Sequence, residues 1–158
     1  MAANVLRFAL FGKEFQAGKT VSIHRLIDSL KARGAEIYIE RTFFQYITSA
    51  LGMEVEVSGV FDNYNFDVDF VISIGGDGTF LRAASMVGSK ATPIIGVNTG
   101  KLGFLADIHP DEIDHAIAEI ADGHYAVEPH AVIMVEADGE IIEGSPFALN
   151  DIAVLKRD

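Results

Sequence analysis

The stretch Val68-Asp69-Phe70-Val71-Ile72-Ser73-Ile74-Gly75-Gly76-Asp77-Gly78-Thr79-Phe80-Leu81-Arg82 decides the fold. Residues 68–74 are a β-type run that leads straight into three glycines wrapped around one carboxylate, and a helical pattern over 79–87 follows at once. Glycines at such a junction let the backbone come close to a ligand. The free N–H groups of the loop and of the new helix terminus favour an anion. An anion cradle that holds a single acid, Asp77, points to phosphoryl transfer to a hydroxyl.

Working outward, strands and helices alternate. Residues 5–11 read as a buried first strand. Ile23, Leu26, Ile27 and Leu30 then repeat at helical spacing, with Thr20 expected as N-cap and Gly34 as the stop. Residues 35–40 read as a second strand, 41–51 as helical, and 52–67 as a loop region around a short strand marked by Val55 and Val57. Residues 93–97 form another apolar strand, followed by the loop Asn98-Thr99-Gly100-Lys101-Leu102-Gly103-Phe104. Pro110 suits a first helical turn, and Ile113, Ala116, Ile117 and Ile120 mark an amphipathic helix that ends at Gly123. This alternation predicts an α/β fold, an open and mostly parallel sheet with flanking helices. In such sheets ligands sit beyond the carboxyl ends of the strands, where both glycine loops fall.

The grammar changes after Gly123. Residues 132–136, the turn signal Asp138-Gly139 and residues 147–155 read as antiparallel strands with no helix between them. The expected organisation is an α/β nucleotide-binding domain over 1–124 and the first strands of an incomplete all-β second domain over 125–158. Two or three strands rarely stand alone, so the chain is expected either to be the N-terminal part of something longer or to pair with a partner.

Composition narrows the chemistry. The chain has 158 residues, 49% of them hydrophobic, which rules against disorder. No apolar run approaches the roughly 20 residues of a membrane span, and the N-terminus lacks the pattern of a secretory signal. There are no cysteines, which excludes thiolate metal sites and fits a cytoplasmic protein. A formal net charge of −11 argues against a nucleic-acid partner. A small anion is still compatible with it, because local N–H groups, Mg²⁺ and a few cations override the global charge. The five histidines, His24, His109, His115, His124 and His130, show no metal-ligand spacing. Ala17-Gly18-Lys19-Thr20 imitates the end of a P-loop, but that pattern needs glycine at position 13, which is Lys.

Gly75-Gly76-Asp77-Gly78-Thr79, then Asn98-Thr99-Gly100-Lys101-Leu102-Gly103-Phe104-Leu105-Ala106-Asp107, then Leu149-Asn150-Asp151 resemble the ordered motifs of the NAD kinase family. The first motif has relatives in lipid kinases and phosphofructokinases; the second separates this chain from them. The resemblance implies transfer of the γ-phosphoryl group of ATP, or of polyphosphate, to the 2′-hydroxyl of the adenosine ribose of NAD, giving NADP. It also implies Mg²⁺, a two-domain fold and a homo-oligomer, either a dimer or a tetramer. A related lipid or sugar kinase, or a dinucleotide-binding module without catalysis, are the alternatives.

Residue roles follow from the two lines together. Asp77 is expected to act as general base, because a ribose hydroxyl is a poor nucleophile until a carboxylate accepts its proton. Gly75, Gly76 and Gly78 would bring bare backbone to phosphate and ribose, with Thr79 either bonding phosphate or capping the helix. Arg82, on the first turn, would offer its fork of donors to a ligand phosphate. Phe104 follows two glycines in a loop and is implied to stack on the adenine of NAD. Asn150 and Asp151, poor strand formers before an apolar strand, would hold ribose hydroxyls or the nicotinamide amide. Lys101 reads better as a surface lysine than as a phosphate ligand.

Overall fold

A computed structural model describes residues 5–13, 19–100, 103, 105–139 and 145–149. Five parallel strands form one sheet in the order β3-β2-β1-β4-β5. They are β1 (Arg7–Gly12), β2 (Glu36–Glu40), β3 (Gly59–Phe61), β4 (Phe70–Gly75) and β5 (Ile94–Asn98). The helices are α1 (Thr20–Ala32), α2 (Arg41–Gln45), α3 (Asp77–Val87) and α4 (Ile113–Ala121). Strands β1 and β4 are buried along almost their whole length, which explains why they read as continuous apolar runs rather than alternating ones.

Side-chain alternation divides the core between the two faces. Phe8, Leu10, Ile37, Ile39, Phe70, Ile72 and Ile74 point to the face covered by α1 and α4, where they meet Ile23, Leu26, Ile27, Leu30, Ile113 and Ile117. Ala9, Phe11 and Val71 point to the other face and meet Ala83 and Val87 of α3. Leu26, Leu30, Ile39 and Ile72 are fully buried, and each contributes about 1.5–3 kcal/mol relative to exposure. All four helical positions read from periodicity in α1 are buried. Gly34 follows that helix with φ +67°, a conformation that favours glycine.

Several boundaries differ from the sequence reading. Lys19, not Thr20, is the N-cap of α1, and no side chain bonds the open amides there. Helix α3 starts at Asp77, because Gly76 is extended and serves as its N-cap. Gly78 and Thr79 therefore lie within its first turn. The short strand is at Gly59–Phe61, while Val55 and Val57 pack against the α1 side of the core from a loop. Register explains the choice: Gly59 lies opposite Tyr38 on β2, and a β-carbon there would stand 2.9 Å from the Tyr38 ring. Residues 41–51 split into α2 and a π-turn at Tyr46–Ala50.

Beyond α4, β6 (Ile133–Met134) and β7 (Phe147–Ala148) pair antiparallel, as the change of grammar suggested. This ribbon docks on α3: the Ser145 hydroxyl donates to the Ser85 carbonyl at 2.8 Å. The Phe147 ring packs at Gly88, where φ is +54° and a β-carbon would come within 2.8 Å of it. Among the described residues no helix is long and apolar enough to cross a membrane.

Candidate active site

The strand order reverses between β1 and β4. From β1 the chain winds through α1 to β2 on one side, and from β4 through α3 to β5 on the other. The two helices lie on opposite faces and leave a crevice at the carboxyl ends of β1 and β4. The end of β1 at Gly12 borders it on one side, and the loop Gly75-Gly76-Asp77 borders it on the other.

Asp77 opens α3, where the helix dipole and free amides favour its negative charge. It is half-buried, and its Oδ1 accepts a hydrogen bond from the Leu105 N–H at 3.1 Å. The loop after β5 makes that contact possible. Thr99 N–H donates to the Gly75 carbonyl at 2.9 Å, and Gly100 N–H to Asn98 Oδ1 at 3.0 Å. The chain then returns beside β5, with Ile108 N–H bonded to the Gly96 carbonyl at 3.0 Å. Both glycine motifs thus meet on one carboxylate. Gly103 passes so close that a β-carbon there would lie 2.4 Å from Asp77 Oδ1.

The three glycines of the first motif are glycine for different reasons. At Gly75 a β-carbon would sit 2.4 Å from Thr79 Oγ1, and both residues are buried, so internal packing requires the small residue. At Gly76 and Gly78 a β-carbon would meet nothing within 4 Å, and neither has positive φ. Among the described residues, nothing requires glycine at those two positions, in contrast to Gly75. Gly75→Ala is expected to cost about 1–3 kcal/mol through overpacking, read from denaturant midpoints. Gly76→Ala is expected to leave the midpoint unchanged and to weaken nucleotide binding about tenfold or more by calorimetry. Equal midpoints for both variants would remove the distinction.

Arg82 reaches away from the glycine loop to Glu40 at the end of β2, with Nη2 2.5 Å from Oε1. Glu40 is 5% exposed, and its other oxygen accepts the Phe43 N–H at 3.0 Å, capping α2. The guanidinium is less than half exposed and is already committed to an acid. Arg82→Ala strands a buried carboxylate on one amide, so it is expected to cost about 1–3 kcal/mol of stability. Chemical denaturation checks this, and an unchanged midpoint would assign Arg82 to solvent alone.

Sequence reading missed Glu40, Gly103 and the Leu105 amide as parts of this site. An acid ending a strand, a second-motif glycine and a backbone N–H carry no signal until the fold brings them to Asp77 and Arg82. Thr79 is buried against Gly75 rather than at the helix cap. Phe104, Lys101, Asn150 and Asp151 lie outside the described residues. Among the described residues no three acidic or histidine side chains converge as a metal site.

The family described as ATP-NAD kinase N-terminal domain matches residues 10–125, which include both glycine loops and the parallel sheet apart from the first half of β1. The chain belongs to the NAD kinase family. It is 48% identical over 153 residues to a NAD kinase of Bacteroides fragilis, covering 97% of this chain and 53% of that one. It is 38% identical to a NAD kinase of Porphyromonas gingivalis, covering 96% and 52%. The chain therefore spans about half the length of the curated relatives it matches. The fold is similar to that of a yeast NADH kinase complexed with NADH, with TM-score 0.66 at 16% identity, covering 91% of this chain and 46% of that one.

Proposed function

We propose that this chain is the nucleotide-binding part of a kinase that phosphorylates the 2′-hydroxyl of the adenosine ribose of NAD, giving NADP, with ATP as donor. The observation that carries the reading is the Asp77 carboxylate, fixed by the Leu105 amide beside two glycines that nothing among the described residues requires. Asp77 accepts the hydroxyl proton as the new phosphorus–oxygen bond forms. The open backbone at Gly76 and Gly78 lets ribose and phosphate approach within hydrogen-bond reach, so positioning and local electrostatics carry most of the catalysis.

Arg82, Phe104, Asn150 and Asp151 complete the dinucleotide site in this reading, with Phe104 stacked on adenine. Gly75, Gly76, Gly78 and Thr79 form the phosphate loop, with Gly75 and Thr79 acting through the packing that shapes it. Mg²⁺ would be carried chiefly by the substrate phosphates, with Asp77 the one carboxylate at the glycine loop, since this ion keeps several waters and needs only one or two protein carboxylates. Its contribution is to neutralise charge on the transferring phosphoryl group. Polyphosphate is the alternative donor. Residues 1–124 and 125–158 are assigned to the two domains, and the enzyme is placed in the cytoplasm as a homo-oligomer.

The test is an assay of the full-length protein for NADP formation from NAD and ATP, with diacylglycerol and fructose 6-phosphate as competing acceptors. NADP alone is expected. Phosphorylation of either competitor in place of NAD would reassign the acceptor.

A further inference from the structure

We propose that Lys19 supplies the cation that holds the phosphate chain of the phosphoryl donor at the crevice between β1 and β4; this rests on the kinase reading above. Lys19 leaves the β1 side of the crevice, immediately before α1. Its Nζ nonetheless reaches the turn after β5, where a β-carbon on Gly100 would stand 3.9 Å from it. That turn is bonded to the glycine loop through Thr99 N–H and the Gly75 carbonyl. The ammonium thus crosses from the β1 side to the turn after β5, which is itself bonded to the end of β4.

Among the described residues no acid stands within ion-pair distance of it. Burial pushes the Lys19 ammonium below its ordinary pKa, and the neighbouring charge of Lys13 pushes it further. The arginines behave differently: Arg7, Arg25, Arg33, Arg41 and Arg82 each have an aspartate or glutamate within 4 Å. Lys90 is also partly desolvated, but there Asp67 acts in the other direction, whereas the charged neighbour acting on Lys19 is another lysine. Desolvating an ammonium is costly unless an anion accompanies it. A phosphate oxygen over the open position at Gly76 restores that balance.

The donor, rather than the dinucleotide, is the occupant that the placement favours. Asp77 is held on the Gly103–Leu105 side of the loop, so the accepting hydroxyl goes there. The group that gives up its phosphoryl must then lie alongside, over Gly76 and toward Lys19. The look-alike Gly-Lys-Thr stretch thereby acquires a use without being a P-loop: Thr20 is the first helical residue and Lys19 the one that reaches the crevice.

Calorimetric titration of the full-length protein with sodium tripolyphosphate and, separately, with NAD tests this in wild type, Lys19→Met and Lys19→Arg. Lys19→Met is expected to weaken tripolyphosphate binding about tenfold or more and to change NAD affinity by less than about twofold. Lys19→Arg is expected to recover most of the tripolyphosphate affinity. The ligand-free melting temperature of Lys19→Met should equal or exceed that of wild type, because a desolvated charge has gone; a merely structural lysine would lower it. Equal tripolyphosphate affinities, no binding by wild type, or an equal loss of NAD affinity would each overturn the assignment. The readout is independent of turnover: a protein that forms no NADP yet loses tripolyphosphate affinity on Lys19→Met keeps this anion site and rejects the kinase.

Discussion

Asp77→Asn in the full-length protein is expected to lower kcat by about 10²–10⁴-fold, the usual contribution of a positioned base. The fold should tolerate the change. Amide and carboxylate are alike in size, and the asparagine oxygen still accepts the Leu105 N–H that Asp77 Oδ1 accepts at 3.1 Å. The negative charge and the capacity to take a proton are lost, while size and the Leu105 bond are kept. NAD affinity, measured by calorimetry on the same preparation, should stay within about twofold of wild type, well under 1 kcal/mol. The separation of kcat from binding is the informative part, because removing an interaction made only in the transition state leaves ground-state affinity intact. Near-normal turnover would falsify the base assignment. A large loss of NAD affinity with a matching loss of stability would instead make Asp77 a structural anchor of the loop after β5.

The parallel sheet was legible because its signals are local. An apolar run such as residues 70–75, buried on both faces, cannot be mistaken for a solvated strand once glycines bound it. The repeat of Ile23, Leu26, Ile27 and Leu30 fixes the buried face of α1 in the same way. Asp77 was legible for a different reason: one acid among glycines at a strand-to-helix junction has few structural uses. What stayed hidden depends on long-range register. Glu40 and Arg82 are 42 positions apart and become partners only because the end of β2 lies near the middle of α3. Lys19 was set aside because the P-loop pattern failed, although its reach to Gly100 needs no such pattern. Gly75, Gly76 and Gly78 looked equivalent as letters. They separate once Thr79 fills the space at Gly75 and nothing fills it at Gly76 or Gly78.

Gly103→Ala should be the second large effect, and it tests whether the two motifs act as one unit. The β-carbon would lie 2.4 Å from Asp77 Oδ1 and 2.8 Å from Cγ, well inside van der Waals contact. Either the loop after β5 or the carboxylate must move by the better part of an ångström. The loop is restrained at Thr99, which bonds Gly75, and at Ile108, which bonds Gly96. Asp77 sits on the first turn of α3, whose inner face is packed by Ala83 and Val87, so its backbone is also restrained. The displacement therefore falls on the carboxylate and on its bond to Leu105. A shift of about 1 Å in a positioned group costs on the order of 10²-fold in rate. Gly103→Ala is accordingly expected to reduce kcat by about that factor, while the denaturation midpoint moves by less than about 1–3 kcal/mol, the range for a strained small-to-large change. Steady-state kinetics and urea titration on one preparation decide it. Wild-type kcat would mean that the carboxylate is not held by this loop during turnover. Combining Gly103→Ala with Asp77→Asn should then add little to the loss from Asp77→Asn alone, because residues acting through one group are not additive. Full additivity would show that Gly103 serves the reaction by some route other than Asp77.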